Sequence, residues 1–304
     1  MRAQISITDR LAGGVWGHLV GDAMGVPYEG RPSNEVGIVR FGAQGTHSQP
    51  PGTWSDDGGL MLALLDSLLK AGFDTTDQAH RALAWLVGPA YKPGPVFSIG
   101  GTTEDALVRI ADGVHAESAG GADESNNGNG SLMRILPLAL VGFDLEPATL
   151  LDRSLRSSSV THRHPRSQVT CALYTLVAAE LIRGERDRAV ALTRALANLE
   201  SVVIGDAALE LQLIRTYEGR SGGFYVVDTF WSAWDAFVAG RTYGETVIRA
   251  IAYGNDTDTT AAVAGGLAGI YWGVGGIPKE WLDAMRGRAI VEEVVARLCA
   301  TRDG

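Results

Sequence analysis

Cysteine is scarce in this chain of 304 residues, and strongly basic segments are missing. The two cysteines, Cys171 and Cys299, each lie in an apolar pattern typical of a helix. A disulfide framework is therefore not expected, and a reducing, cytoplasmic environment fits better. The formal net charge is -9 and no block of lysine and arginine occurs, which argues against sequence-independent binding of nucleic acid.

Long apolar runs are also missing. Residues 1–4 lack the apolar core of a signal peptide, and the longest apolar run, residues 261–272, is too short to span a bilayer. We therefore expect a cytoplasmic protein without a membrane partner. Because no linker or compositional break divides the chain, we expect a single domain over residues 1–304, and a monomer.

Helical periodicity dominates and predicts an all-α fold. Apolar residues recur at helical spacing in residues 11–19 behind a possible Asp9 cap, in residues 60–68 behind Ser55, and in residues 173–181 after Pro165. Further helices are predicted at residues 103–112, 187–199, 206–217, 228–240, 243–253, 258–272 and 279–300.

Two kinds of segment depart from this helical pattern. Strand patterns at residues 38–41 and 224–227 are short and isolated, so no sheet is expected. Residues 115–130 are polar and have no apolar period, which predicts a mobile surface loop. That loop would serve either as a flap over a substrate or as a plain connector.

Two aspartate-rich motifs lie far apart in the chain, and each leads into a helix-like apolar segment. The first contains Ser55, Asp56 and Asp57; the second contains Asp256, Asp258 and Thr259. Four carboxylates brought to one point would repel each other unless cations lay between them. Ligands that are all oxygen suit hard divalent ions such as Mg²⁺, Mn²⁺ or Ca²⁺. Together the motifs predict a site for two metal ions.

Each motif also has a plainer interpretation. Ser55 at a helix N-cap would place the two following aspartates in the first turn, where the helix dipole favours carboxylates, so this pair alone would more often be structural. The second motif precedes a run of small residues, 261–269, which would be a poor helix alone because each interior glycine costs about 1 kcal/mol. Such a helix needs tertiary contacts, which suits a central helix that delivers ligands into a bundle core.

The second acidic segment has two alternative interpretations as a known motif. An EF-hand loop starting at Asp256 would need glycine and glutamate where Ala261 and Leu267 stand, so that interpretation fails. A phosphotransferase nucleophile of the Asp-x-Asp-x-Thr type would be expected to follow an apolar strand. Residues 248–253 look helical instead, which makes this alternative weak without excluding it.

The chain resembles the ADP-ribosylglycohydrolases, the family of dinitrogenase reductase-activating glycohydrolase and the ADP-ribosyl-acceptor hydrolases. Five motifs carry the resemblance in order over nearly the whole chain: residues 12–29, 54–57, 129–134, 161–162 and 256–259. It implies a compact orthogonal helical bundle with a central binuclear Mg²⁺ or Mn²⁺ site. The implied metal ligands are Ser55, Asp56, Asp57, Asp256, Asp258 and Thr259.

The resemblance also implies catalytic residues. Glu29 matches a functional glutamate of the family and is our candidate for general acid or base assistance; otherwise it would be an exposed loop residue. Asp57 and Asp256 are counted with it as catalytic, because the ions that they hold would orient the ribose and a water. Asp22 is expected to be structural and to hydrogen-bond the neighbouring turn.

The remaining motifs are assigned to substrate binding. Asn129, Gly130 and Ser131 resemble a phosphate cradle, since glycine permits close backbone approach and Met133 can start a helix. Gly100 is a further residue that we expect to contact the substrate. The resemblance places His162 beside the ribose or diphosphate, whereas the bare sequence would make it a solvent-facing or capping histidine. A zinc site built from His162 and His164 would lack further nitrogen or sulfur ligands.

Two departures from the family pattern concern the site. Gly58 and Gly59 replace a threonine and a polar residue, which bears on metal affinity or acceptor choice. Ser98 stands where some members carry an acidic residue, and we give it no role.

These observations predict a metal-dependent hydrolase that cleaves the N- or O-glycosidic bond between ADP-ribose and its acceptor. The most plausible acceptor is an arginine of a modified protein; a serine or a small ADP-riboside stays open, and acceptor contacts are expected from residues 115–127. The alternatives are a metal-dependent nucleotide phosphohydrolase and a non-catalytic ADP-ribose-binding member.

Overall fold

Helices form the regular secondary structure of the computed structural model, which describes residues 5–302. The α-helices are Ile7–Gly25 (α1), Ser33–Val36 (α2), Asp56–Ala71 (α3), Thr75–Val87 (α4), Gly101–Ala111 (α5), Ala116–Ala119 (α6), Pro137–Gly142 (α7), Pro147–Ser159 (α8), Pro165–Arg183 (α9), Arg188–Val202 (α10), Asp206–Thr216 (α11), Val226–Ala239 (α12), Tyr243–Ile251 (α13), Thr257–Trp272 (α14), Lys279–Asp283 (α15) and Arg288–Ala300 (α16). Short 3-10 helices occur at Val26–Tyr28, Glu124–Asn126, Leu132–Arg134 and Val274–Gly276. Within residues 5–302, β-pairing is limited to isolated bridges, so the all-α prediction is confirmed.

Several helices begin at the residues that the sequence indicated. The Ser55 side chain caps α3 by accepting a hydrogen bond from Asp57 N, and Pro165 is the first residue of α9. At the start of α1 the cap is Ser6, whose hydroxyl accepts from Asp9 N, so the expected Asp9 cap was wrong. The single helix predicted at residues 279–300 is two helices, because Gly287 adopts a left-handed conformation with φ 61° between them.

The helices α1 and α14 form the centre of the molecule and touch through their main chains. A Cβ atom added at Gly13 would overlap the carbonyl of Gly269, and one at Gly21 would overlap the carbonyl of Ala261. Because residue numbers rise along one helix as they fall along the other, the two helices run antiparallel. All residues of α14 from Thr257 to Ile270 are buried. The expectation that this small-residue helix lies in the core is confirmed.

The segment predicted as a surface loop, residues 115–130, is largely packed against the connection between α8 and α9. It contains α6 and a 3-10 helix, and Gly120 N and Gly121 N donate to Ser159 O and Thr161 O. Exposure is continuous only at residues 122–125. The prediction failed because long-range hydrogen bonds, not an apolar period, hold the segment. Within the described residues, no helix has both the length and the apolarity needed to cross a bilayer.

Candidate active site

The first acidic motif is held against α1 by Asp22. This fully buried carboxylate accepts hydrogen bonds from Ser55 N at 2.9 and 3.0 Å and from Gly58 N at 2.8 Å. The Ser55 hydroxyl in turn donates to Asp57 Oδ2 at 2.9 Å. These bonds fix the first turn of α3, and the structural role predicted for Asp22 is confirmed.

The second acidic motif stands at the start of α14, beside the end of α1. Thr257 Oγ1 donates to Gly25 O at 2.8 Å and so joins the two helices at this end. Asn129 Nδ2 donates to Asp256 Oδ2 at 2.6 Å, which connects the motif to the predicted phosphate cradle. The Asp258 carboxylate accepts from Thr259 N at 3.1 Å.

The two motifs meet in one place. Oxygen atoms of Asp22, Asp57 and Asp258 lie within 4.8 Å of one another, and so do those of Glu29, Asp256 and Asp258. Because Asp258 belongs to both groups, the carboxylates form two adjacent clusters that share a side chain. This is the convergence that the sequence predicted for two distant segments.

The carboxylates of these clusters cannot all ionise at low cost in the absence of cations. Burial raises the pKa of Asp57 and of Asp258 well above the usual range, and neighbouring carboxylates raise it further. Burial also raises the pKa of Asp22 to about 7. Asp57 Oδ1 is buried without a hydrogen-bond partner. An unpaired oxygen among closely spaced carboxylates fits hard divalent cations, which prefer oxygen ligands.

Glu29 has two partners that the sequence did not reveal. Ser98 Oγ lies 2.9 and 2.8 Å from the two carboxylate oxygens of Glu29 and donates to them, and His47 Nε2 contacts Glu29 Oε2. These partners lie 69 and 18 residues away along the chain, so no local motif links them to Glu29. They hold its carboxylate beside Asp256 and Asp258.

A cavity of about 350 Å³ opens above the carboxylates. The predicted site residues that line it are Glu29, Asp56, Asp57, Gly100, Asn129, Gly130, Met133, His162, Asp256, Asp258 and Thr259. Ser55 and Ser131 lie behind this lining. Ser131 is fully buried, and its hydroxyl contacts Ser158 Oγ and Cys171 Sγ. Thr103 and Phe224 also line the cavity, and no motif in the chain pointed to either.

His162 is buried in the cavity wall and neutral. Burial, and next the charge of Arg134, lower the pKa of His162 to about 3. Thr161 Oγ1 accepts from Arg134 Nη2 at 3.0 Å and lies 2.9 Å from His162 Nδ1. Since arginine can only donate, the Thr161 proton is available for Nδ1, which favours the tautomer with its proton on Nε2. His162 can thus present a hydrogen-bond donor to a ligand.

The two unexpected glycines of α3 leave room for aromatic and aliphatic side chains. A Cβ atom at Gly58 would lie 2.6 Å from Leu19 Cδ2 and 2.8 Å from Trp54 Cδ1. One at Gly59 would overlap Trp85 Nε1. A larger residue at either position would therefore overlap neighbouring side chains unless they moved.

The comparisons with known proteins agree with this architecture. The family model for ADP-ribosylglycohydrolase matches residues 3–304. The ADP-ribosyl-(dinitrogen reductase) glycohydrolase of Rhodospirillum rubrum is 32% identical over 92% of this chain and 91% of that protein. The ADP-ribosylarginine hydrolase Tri1 of Pseudomonas putida (strain GB-1) is 29% identical over 95% of this chain and 78% of that protein.

A solved structure described as an ADP-ribosylglycohydrolase-related protein complex has the same fold. It matches with a TM-score of 0.82 and 32% sequence identity, covering 98% of this chain and 99% of that one. With the family match over nearly the full sequence, this likeness confirms the resemblance carried by the five motifs. The chain belongs to the ADP-ribosylglycohydrolase family.

Proposed function

We propose that this protein is a metal-dependent hydrolase that releases ADP-ribose from an arginine side chain of a modified protein. The observation that carries the proposal is the pair of carboxylate clusters sharing Asp258 at the floor of one cavity. The relatives named for ADP-ribosylarginine and ADP-ribosyl-dinitrogen reductase support the substrate class. The family match over residues 3–304 supports a single functional unit.

The residues of the clusters would hold two divalent cations, Mg²⁺ or Mn²⁺. One ion would be held by Asp57 and Asp258, with Asp22 nearby, and the other by Asp256 and Asp258, with Glu29 beside it. Bound ions of this kind orient sugar hydroxyls and lower the pKa of a bound water. Asp56 and Thr259, which also line the cavity, are further oxygen ligands.

The chain's own groups would bind and orient the ADP-ribosyl unit. Gly130 allows the backbone to approach a diphosphate, and His162 can donate to a ribose or phosphate oxygen. Glu29, fixed by Ser98, is placed to give or take a proton at the scissile bond.

The test is to incubate the protein with arginine-linked and serine-linked ADP-ribosyl peptides, in Mg²⁺, in Mn²⁺ and in EDTA. We expect free ADP-ribose from the arginine-linked peptide only when a metal is present. The double variant Asp256→Ala, Asp258→Ala should lose turnover, whereas Asp283→Ala, an exposed aspartate on α15, should keep it.

Other results point to the other functions. Unchanged turnover in the double variant would refute metal catalysis at this cavity. Release of inorganic phosphate from a nucleotide, without free ADP-ribose, would identify a phosphohydrolase. Binding of ADP-ribose without cleavage of either peptide would identify a non-catalytic binding protein.

A further inference from the structure

A second cavity lies at the opposite end of the α1 and α14 pair. Its volume is about 750 Å³, larger than that of the candidate active site. Arg10 near the start of α1 and Trp272 at the end of α14 both line it. The 16 residues of α14 separate it from Asp258 by roughly 20 Å at about 1.5 Å per residue. The two cavities are therefore separate sites.

The second cavity is strongly basic in an acidic protein. Arg10, Arg183, Arg186 and Arg241 line it, and no aspartate or glutamate is among its described lining residues. Arg183 is paired with Glu180 Oε1 at 2.7 Å. Within residues 5–302, the guanidinium groups of the other three arginines lie beyond ion-pair distance of any carboxylate, although the Glu245 carboxylate accepts a hydrogen bond from Arg241 N and attracts the Arg241 charge. The formal net charge of -9 makes such a concentration of cations unusual in this chain.

Arg10 is a charged residue that lies almost completely buried, which is energetically unfavourable for a cation. Only 6% of the residue is exposed, and its hydrogen bond within the protein runs from Nη1 to Leu181 O at 3.2 Å. Burial, and then the nearby charge of Arg186, lower the pKa of Arg10. A buried cation that faces another cation is unfavourable unless an anion lies between them.

Helix ends offset only part of this positive charge. Arg10 donates to Leu181 O near the end of α9, and Arg186 donates to Tyr271 O near the end of α14. A helix C-terminus carries about half a negative elementary charge. The two helix ends therefore offset about one of the three positive charges carried by Arg10, Arg186 and Arg241. The Arg241 guanidinium donates to neither end. The Glu245 carboxylate offsets part of the Arg241 charge, so a surplus of about one to two positive charges is left over the cavity.

We propose that this cavity binds a small phosphate-bearing anion with two or more negative charges, of the diphosphate class. Guanidinium groups match pairs of phosphate oxygens with two parallel hydrogen bonds, which a carboxylate-free cavity leaves available. The volume suits a small molecule. Gly275 and Gly276 form part of the wall, and Trp272 offers a partly exposed ring to an organic substituent.

The test is calorimetric titration of the full chain with inorganic pyrophosphate, in EDTA so that no divalent metal is bound. We expect one binding site in the wild-type protein. Arg241→Gln should weaken binding by about tenfold or more, which corresponds to about 1.4 kcal/mol, because the variant loses a charged hydrogen bond to the anion. Arg241 is exposed, so the variant is expected to fold. Arg215→Gln, the same charge change at an exposed ion pair with Glu200, should bind as the wild type does.

The location is checked with the double variant Asp256→Ala, Asp258→Ala, which should keep its pyrophosphate affinity. Loss of binding in that variant would place the anion in the candidate active site and overturn the proposal. Equal affinity in Arg241→Gln and Arg215→Gln would also overturn it, as would absence of binding in the wild type. Binding of a poly-glutamate peptide without pyrophosphate would instead identify a protein docking site. None of these results depends on the proposed hydrolysis.

Discussion

Ser98 contacts the candidate catalytic residue Glu29, although no motif in the sequence pointed to it. Its hydroxyl donates to both oxygens of Glu29. We expect Ser98→Ala to lower kcat by about tenfold or more, because a hydrogen bond to a charged group contributes about 1.5–3 kcal/mol. Initial rates with the arginine-linked peptide would measure this, and thermal denaturation should show a fold that is nearly unchanged.

Ser201→Ala is the matched control, since Ser201 is exposed near the end of α10 and lies outside the cavity. Equal loss of activity in both variants would show that Ser98 does not position Glu29. Reasoning from sequence found Glu29 but left Ser98 without a role, because their contact joins segments 69 residues apart. Such a contact exists only after folding, and one sequence contains no pattern that predicts it.

His18 makes folding stability depend on pH in a defined direction. The residue is 1% exposed, and burial lowers the pKa of His18 to about 4, against 6.5 for a free histidine. A depressed histidine pKa contributes stability that is present above pH 6.5 and is lost as the pH falls towards 4. The His18→Leu variant has no imidazole at this position, so its stability should not fall in this way at low pH.

Relative to the wild type, the free energy of unfolding of His18→Leu should therefore rise by about 2 kcal/mol between pH 7 and pH 4.5. Urea denaturation of both proteins at the two pH values, in the same buffer and EDTA, measures the difference. The comparison between variants cancels the opposite effect of the buried aspartates, whose raised pKa values favour folding at low pH. A difference that does not change with pH would contradict the prediction.

The contact between α1 and α14 leaves no room for side chains at several of its glycines. A Cβ atom at Gly17 would overlap the carbonyl of Gly265. Alanine is intrinsically better than glycine in a helix by up to about 1 kcal/mol. Overpacking against a main chain costs more, so we expect Gly17→Ala to destabilise the protein by about 1–3 kcal/mol.

Urea denaturation would measure this cost, with Gly94→Ala as the control because nothing lies within 4 Å of a Cβ atom there. Since α14 would have to move, turnover should fall as well, even where the variant stays folded. A stability equal to or above that of the wild type would show that the helices separate without cost.

The helices whose starts were predicted correctly are those marked by a capping residue or a proline in the first turn. Ser55 and Pro165 mark helix starts because capping and a fixed φ act within one turn. The break at Gly287 was missed, since a glycine in a helical pattern can either stay in the helix or end it. Residues 115–130 were misjudged because their partners, such as Ser159 and Thr161, are distant in the chain.

For the whole molecule, the carboxylate clusters predict that divalent cations stabilise the fold. Ions that bind only the folded state at one hundred times their Kd add about 2.7 kcal/mol for each site. We expect Mg²⁺ or Mn²⁺ to raise the Tm by several degrees relative to EDTA. Thermal scans at constant ionic strength would show this.

The double variant Asp256→Ala, Asp258→Ala should lose this response, and Asp283→Ala should retain it. An equal rise of Tm in all three proteins would mean that the ions act on the surface rather than in the cavity. The convergence of the two acidic motifs could be predicted from the family resemblance, which draws its implied metal ligands from both motifs. The spacing of the clusters and the sharing of Asp258 required the folded chain.

The contact between α1 and α14 also limits which substitutions the candidate site would tolerate. Main-chain atoms have no rotamers, so the helices cannot adjust their separation by small side-chain rearrangements. Asp22 and Asp258 lie on opposite helices of this contact, so the spacing of their carboxylates depends on glycines that are remote from the cavity.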